Sequence, residues 1–369
     1  MIQRRQFLGA ATAAVATFTG LTTRNTFAAT SANSLGWNNN VIQTVKHGSM
    51  KRRPVVTGVS LQPVGNLLAI VGDDHYVSLY DIQRQQFVEH LKQHTDWVRS
   101  AKFSPDSSAL FTCGNDHRLV RWETDDLSQP SFNVQRSDAI IEMAISSDSK
   151  KVATVGFNKE LVIHDAESGG QIASMKCSCD DNHAVAFSPD DKMIAAAGRC
   201  GTINVWDAET EKKLHIIKAH RRRIRSLEFT AEGDLISAGD DQIVKINKLG
   251  NRSQTIALPR QAAKLFAVKT ISPSVLATSG SDNKIHIWNT SRGSEIGMLD
   301  KHSGTVSSLD MAQDVLVSGS FDTTVRIWTP DQNELAAAAP VFITPSFKTT
   351  PTESANKSSA TADSLPARR

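Results

Sequence analysis

The feature that most constrains this chain is a phrase that it repeats. "TSGSDNKIHIW" at residues 278–288 returns as "SGSFDTTVRIW" at 318–328. Earlier, more eroded copies read "IVGDDHYVSLY" at 70–80, "TCGNDHRLVRW" at 112–122, "TVGFNKELVIH" at 154–164, "AAGRCGTINVW" at 196–206 and "SAGDDQIVKIN" at 237–247. The closing positions 80, 122, 164, 206, 247, 288 and 328 are spaced by 42, 42, 42, 41, 41 and 40 residues. So even a period marks an architecture of stacked units, each unable to bury its apolar face alone.

The unit can be read from its parts. Upstream of the phrase stand segments such as "VRSAKFSPDSSALF" at 98–111, "AVAFSPDDKMIAA" at 184–196 and "IRSLEFTAEGDLIS" at 224–237. Alternating apolar residues, a Ser-Pro-Asp turn or its equivalent, and a second apolar run predict two strands joined tightly. The phrase adds a turn at Gly-x-Asp and a third strand. A weaker fourth follows, as in "QFVEHLKQH" at 86–94 and "KKLHIIKAH" at 212–220. Four short antiparallel strands in one period predict a propeller blade, and seven copies predict seven blades.

These residues resemble the WD-repeat family over residues 35–330. Trp206-Asp207 carries the signature dipeptide, with relaxed forms at Tyr80-Asp81, Trp122-Glu123, His164-Asp165, Trp288-Asn289 and Trp328-Thr329. His94, His220 and His302 stand where the family places Gly-His, with Gln93, Ala219 and Lys301 in place of the Gly. The resemblance implies that the His bonds the Asp of the following turn, while a Ser or Thr links that His to the Trp. Blade two then holds the full set in His94, Thr112, Asp116 and Trp122, and blade seven in His302, Ser318, Asp322 and Trp328. Blade six lacks a matching His, blade five puts Asn247 in the Trp position, and blades one, three and four are further eroded. His and Asp at this spacing resemble a catalytic pair, but the family assigns them to a structural network.

The chain ends carry different expectations. "NNNVIQTVKHGS" at 38–49 reads as a lone fourth strand followed by His47, so Val41–Val45 is expected to complete blade seven and close the ring. Residues 1–28, "MIQRRQFLGAATAAVATFTGLTTRNTFA", resemble a twin-arginine export signal at Arg4-Arg5-x-Phe-Leu, with small residues up to Ala28 as the cleavage site. The apolar part is too short and too rich in Thr for a stable membrane span. Residues 331–369, rich in Ser, Thr, Pro and Ala with no apolar period, are expected to be a disordered tail. The expected architecture is therefore all-β: an export signal at 1–28, a propeller at 35–330 and the tail.

Three cysteines cluster in one repeat. Ser178, between Cys177 and Cys179, aligns with His94, and Cys200 aligns with Asp116. A disulfide, Cys179–Cys200 or Cys177–Cys200, could replace the His–Asp contact in an oxidising compartment. Two other readings stand beside it: a metal held by the three thiols with His183, from a weak Cys-x-Cys signal, and buried unbridged thiols. Cys113 reads as small apolar filler on a core strand.

Charge bears on partners. The formal net charge is +3, and Arg4, Arg5 and Arg24 account for all of it, since +3 − 3 = 0. Nothing favours nucleic acid as a partner. Two basic runs nevertheless fall on the face expected to carry the loops before each blade: Lys51, Arg52 and Arg53, and Arg221, Arg222, Arg223 and Arg225. Arg99 and Arg199 join them, which suggests a mouth that attracts an acidic segment of another protein.

The resemblance implies a rigid platform for protein–protein contact with no catalytic residues; the N-terminal segment adds export to the periplasm or envelope, and a monomer with no metal and no cofactor is expected. The alternatives are a propeller enzyme with lactonase-like chemistry in the central channel and a cytoplasmic scaffold with an unprocessed N-terminus. The sequence shows no inward cluster of Asp, Glu or His, no nucleophile elbow and no phosphate loop to favour the enzyme.

Overall fold

Each repeat folds into a four-stranded antiparallel sheet, and seven such sheets stand in a ring around a channel. The computed structural model describes residues 36–47, 51–250 and 254–330, so the expected export signal and tail lie outside the described residues. Blade one spans 56–92, blade two 98–135, blade three 140–176, blade four 182–218, blade five 224–257 and blade six 265–299. Blade seven takes three strands from 306–330 and its fourth from Trp37–Gln43. All the described secondary structure is strand, and no helix among the described residues is long and apolar enough to cross a membrane.

The closing strand lies four residues earlier at its start than the sequence suggested. Trp37 pairs with Pro330 and Gln43 with Thr324, whereas Val41–Val45 was the expected segment. The apolar alternation misled because an outermost strand buries only one side. Ile42 is buried against Val56, Val317 and Val325, while Val41 points outward. The poor strand formers Asn38–Asn40 are held by backbone pairing to 327–329 and by Arg326 Nη1 donating to Asn39 Oδ1 at 2.8 Å.

Local chemistry explains the meander. In the first hairpins of blades two, three and four, Ser104, Ser146 and Ser188 donate to Asp106, Asp148 and Asp190 at 2.5–2.7 Å. Each serine also accepts the N–H of the residue five positions on. Asp207 of the signature dipeptide accepts from the N–H groups of Glu209 and Thr210, which folds the next turn. The glycine of Gly-x-Asp is required by a close approach: a Cβ on Gly114 would lie 2.3 Å from Trp97 O, and on Gly198 1.9 Å from Asp181 O.

Apolar side chains fill the spaces between neighbouring blades. Val71, Val77, Leu79 and Leu91 of blade one pack with Val98, Leu110, Val120 and Trp122 of blade two, and the other interfaces follow the same scheme.

One irregularity recurs in all seven blades. The first strand slips register at its second residue, between Val56 and Gly58, Val98 and Ser100, Ile140 and Glu142, Asn182 and Ala184, Ile224 and Ser226, Leu265 and Ala267, and Val306 and Ser308. Such a bulge re-aims the extra residue. Here all seven, Thr57, Arg99, Ile141, His183, Arg225, Phe266 and Ser307, meet around one end of the channel.

Candidate functional site

The network residues fall where the phrase places them. In blade two Trp122 Nε1 donates to Thr112 Oγ1 at 3.4 Å, and Thr112 lies 2.9 Å from His94 Nε2. His94 Nδ1 stands 3.0 Å from both oxygens of Asp116. An indole can only donate, so the Thr112 hydroxyl accepts from it and donates to Nε2, leaving Nδ1–H for Asp116. Blade seven repeats the chain with Trp328 to Ser318 at 2.8 Å, Ser318 to His302 at 2.8 Å and His302 to Asp322 at 2.9 Å. Burial pushes Asp116 and Asp322 upward, but the histidine and backbone hydrogen bonds outweigh it and hold both carboxyls below the usual range. His94, Thr112, His302 and Ser318 are all buried, so both networks lie largely away from solvent.

The eroded blades use substitutes that the sequence did not disclose. Blade five keeps His220, Ser237 and Asp241 at 2.8–2.9 Å, and Asn247 Nδ2 donates to Ser237 at 3.4 Å where Trp would. In blade six Gln261 stands in for the missing His, its Oε1 accepting from Thr278 at 2.9 Å. Asp282 there turns to His286 at 2.8 Å. Blade three uses Arg136, which donates to Thr154 Oγ1 at 2.6 Å. In blade one His47 is 3.6 Å from Asp74 and stacks on Tyr76. Burial raises Asp74 to about 6, against the trend of its counterparts.

Blade four holds a Cys179–Cys200 disulfide with a Cα–Cα distance of 5.5 Å. Cys177 is a free, buried thiol that follows the last strand of blade three, so it belongs to that blade's edge rather than to blade four. Burial pushes it up to about 12. Cys113 is also free and buried. Two thiols of the alternative metal set are spent in the bridge, and His183 Nε2 lies 2.6 Å from Asp181 Oδ1 instead.

The basic residues do not form one continuous patch. Arg52 pairs with Asp73, and Arg53 donates to Thr44 O. Arg223 is 3.0 Å from Asp181 and Arg225 2.5 Å from Asp240. Three arginines of the expected surplus are thus answered by aspartates that the charge count did not locate. Arg199, Arg221 and Arg222 remain exposed at the seam between blades four and five, where Gly201 O accepts from His220 N. Lys51 is exposed beside blade one, away from that seam.

The channel departs from expectation more clearly. No inward acidic cluster is legible in the repeats, yet Glu142 and Glu228 line a cavity of about 280 Å³ and Asp310 stands beside it. They escaped notice because each blade contributes at most one or two inward charges, which meet only after the ring closes. Their bonds are already committed. Lys269 Nζ is 3.5 Å from Glu228 and 3.2 Å from Asp310, and these carboxylates hold it above its usual range despite burial. Asp310 accepts from Leu61 N at 2.9 Å and Glu228 from Thr270 N at 2.8 Å. Glu142 accepts from Ser100 Oγ at 2.6 Å.

Above the cavity, the re-aimed residues form a depression of about 140 Å³. Phe321, 42% exposed, lines it, while the exposed rings of Trp97 (38%) and Phe157 (50%) lie against its lining residues Arg99 and His183. Large apolar rings and arginines left at a surface are the composition of protein contact sites.

Comparison with known proteins agrees with this geometry. Residues 85–123, 171–207, 211–246 and 293–329 match the WD domain, G-beta repeat. Each match runs from the fourth strand of one blade through the third strand of the next. The chain is 29% identical over 110 residues to Sterol regulatory element-binding protein cleavage-activating protein of Xenopus laevis, covering 30% of this chain and 8% of that protein. It is 29% identical over 121 residues to Periodic tryptophan protein 2 of Arabidopsis thaliana, covering 31% and 13%. It is 27% identical over 120 residues to Ribosome biogenesis protein YTM1 of Kluyveromyces lactis, covering 29% and 27%. The match thus spans under a third of each of these relatives.

Proposed function

We propose that this WD40-repeat propeller is a non-enzymatic platform for protein–protein contact, exported from the cytoplasm, that receives its partner on the face bearing the channel mouth. The observation that carries the reading is the contrast between that face and the channel below it. In the channel Lys269 pairs with Glu228 and Asp310, and Glu142 accepts from Ser100, so these carboxylates already have partners within the fold. The face leaves Trp97, Phe157 and Phe321 exposed beside Arg99 and the Arg199, Arg221 and Arg222 cluster.

Both chain context and charge support the finer points. Export rests on the Arg4-Arg5 segment and agrees with a bridged Cys179–Cys200 pair, which an oxidising compartment permits. An acidic partner segment agrees with the exposed arginines. The test is affinity capture from the envelope fraction of the producing cell, with N-terminal sequencing of the recovered protein. A start just after Ala28 and salt-sensitive capture of a partner are expected. An intact N-terminus would overturn export, and loss of no partner on replacing Trp97, Phe157 and Phe321 by Ser together would overturn the face.

A further inference from the structure

Arg99 and Arg225 occupy the same re-aimed position in blades two and five, and the residues that accept from their Nε atoms differ by one functional group. Each guanidinium lies against an aromatic ring, Arg99 at 5.0 Å from the Trp97 centroid and Arg225 at 4.3 Å from that of Phe266. Each Nε donates to the fourth residue of its own repeated phrase: Arg99 to Asn115 Oδ1 at 2.8 Å, Arg225 to Asp240 Oδ1 at 2.5 Å. Asp240 thereby closes an ion pair. Asn115 orients its arginine in the same way but returns no charge.

No carboxylate among the described residues lies at ion-pair distance from Arg99. Asp96, the nearest acidic influence, uses Oδ1 to accept from Trp97 N at 2.6 Å. Arg99 is partly withdrawn from water, and burial lowers its pKa. An unanswered charge in such a place is destabilising until an anion arrives. Among the described residues its two Nη groups have no hydrogen-bond partner, and the guanidinium lies over the Trp97 ring.

The surroundings narrow the anion. Glu142 lines the same depression, and its repulsion grows with the charge of an incoming anion, which favours a singly charged carboxylate over a dianion. The depression of about 140 Å³ suits the head of one side chain. Phe157 and Phe321 offer apolar contact on either side of it.

Building on the platform reading, we infer that Arg99, held by Asn115 and laid on Trp97, anchors one carboxylate side chain of a partner protein, whose neighbouring apolar residues rest on Phe157 and Phe321. The test uses the full mature chain and short synthetic peptides holding a single Glu between apolar residues, with Gln and phosphoserine counterparts. Glu peptides are expected to bind and Gln peptides to fail. Arg99→Gln and Asn115→Asp should each weaken binding about ten-fold or more, and Asp240→Asn, which frees the second guanidinium, should strengthen it. Asn115→Asp recreates the pair already present in blade five, so melting at the wild-type temperature shows that folding is intact. Equal binding of Glu and Gln peptides, no binding of either by the wild-type chain, or binding indifferent to Asn115→Asp would overturn the anchor. Stronger binding of phosphoserine would overturn the carboxylate. Partner capture that persists in the Asn115→Asp chain would sink this inference alone and leave the platform standing.

Discussion

Cys200 occupies in blade four the turn position that Asp116 occupies in blade two, and Cys179 reaches it through a covalent bond where His94 reaches Asp116 through a proton. Ser178, which aligns with His94, donates instead to Asn204 at 2.7 Å. The two blades thus tie the same pair of loops by different chemistry. Reducing the bridge, or replacing both cysteines by Ala, should lower stability by about 3 kcal/mol, the loop-closure value for a span of 21 residues. Chemical denaturation with and without reductant measures it, and identical midpoints would deny the bridge a structural role.

Asp116→Ala and Asp322→Ala should each cost about 2–4 kcal/mol, because a buried histidine loses its acceptor. Asp282→Ala should cost less. Asp282 bonds His286, which keeps Glu295 at 2.8 Å as a second partner. Thermal melts of the three variants, compared under one buffer, give the order.

The same carboxylates set an acid limit. Asp116, Asp241 and Asp322 are held below the ordinary range in the folded chain. Their stabilisation is full above the unfolded carboxyl value of about 4 and is lost as pH falls through the lower folded values. Asp74 works in the opposite sense. Raised to about 6 by burial, it favours the folded chain when protonated, and that contribution fades as pH rises through about 6. Asp74→Asn should therefore raise the melting temperature at pH 8 relative to pH 5, while Asp322→Asn should lower it at both. A pH series of melting curves on the two variants tests both signs.

The closing strand should be indispensable. Removing 37–43 leaves Trp328 and Val325 without their cover, and Ile42→Ala alone should cost about 2–4 kcal/mol from the cavity it leaves. A truncated chain that melts cooperatively at the wild-type temperature would show that the ring can close without it.

Most of the fold was legible because the repeat writes it seven times. Gly114 and Gly198 mark where one backbone crosses another, and Ser104 with Asp106 marks a turn, so their spacing carries the geometry. What escaped reading has a common cause. Gln261 replaces a histidine, Arg136 another, and both are recognisable only from what they touch. Lys269, Glu228 and Asp310 come from three different blades, and Arg223 meets Asp181 across a seam. Each relationship depends on ring closure, which brings distant positions together with no local mark. The start of the closing strand was missed for the reverse reason: Asn38–Asn40 have the composition of a loop and become a strand only because 327–329 offer them a ladder.

Trp37 pairs with Pro330 at one end of the closing ladder, so the chain leaves the ring in both directions from the same corner. Tension applied between those two directions would fall on a single hydrogen bond at a time, opening the clasp like a zipper rather than sliding one strand along the other. The clasp therefore yields more readily to a pull on the two chain ends than to a force that would shear the two strands past each other.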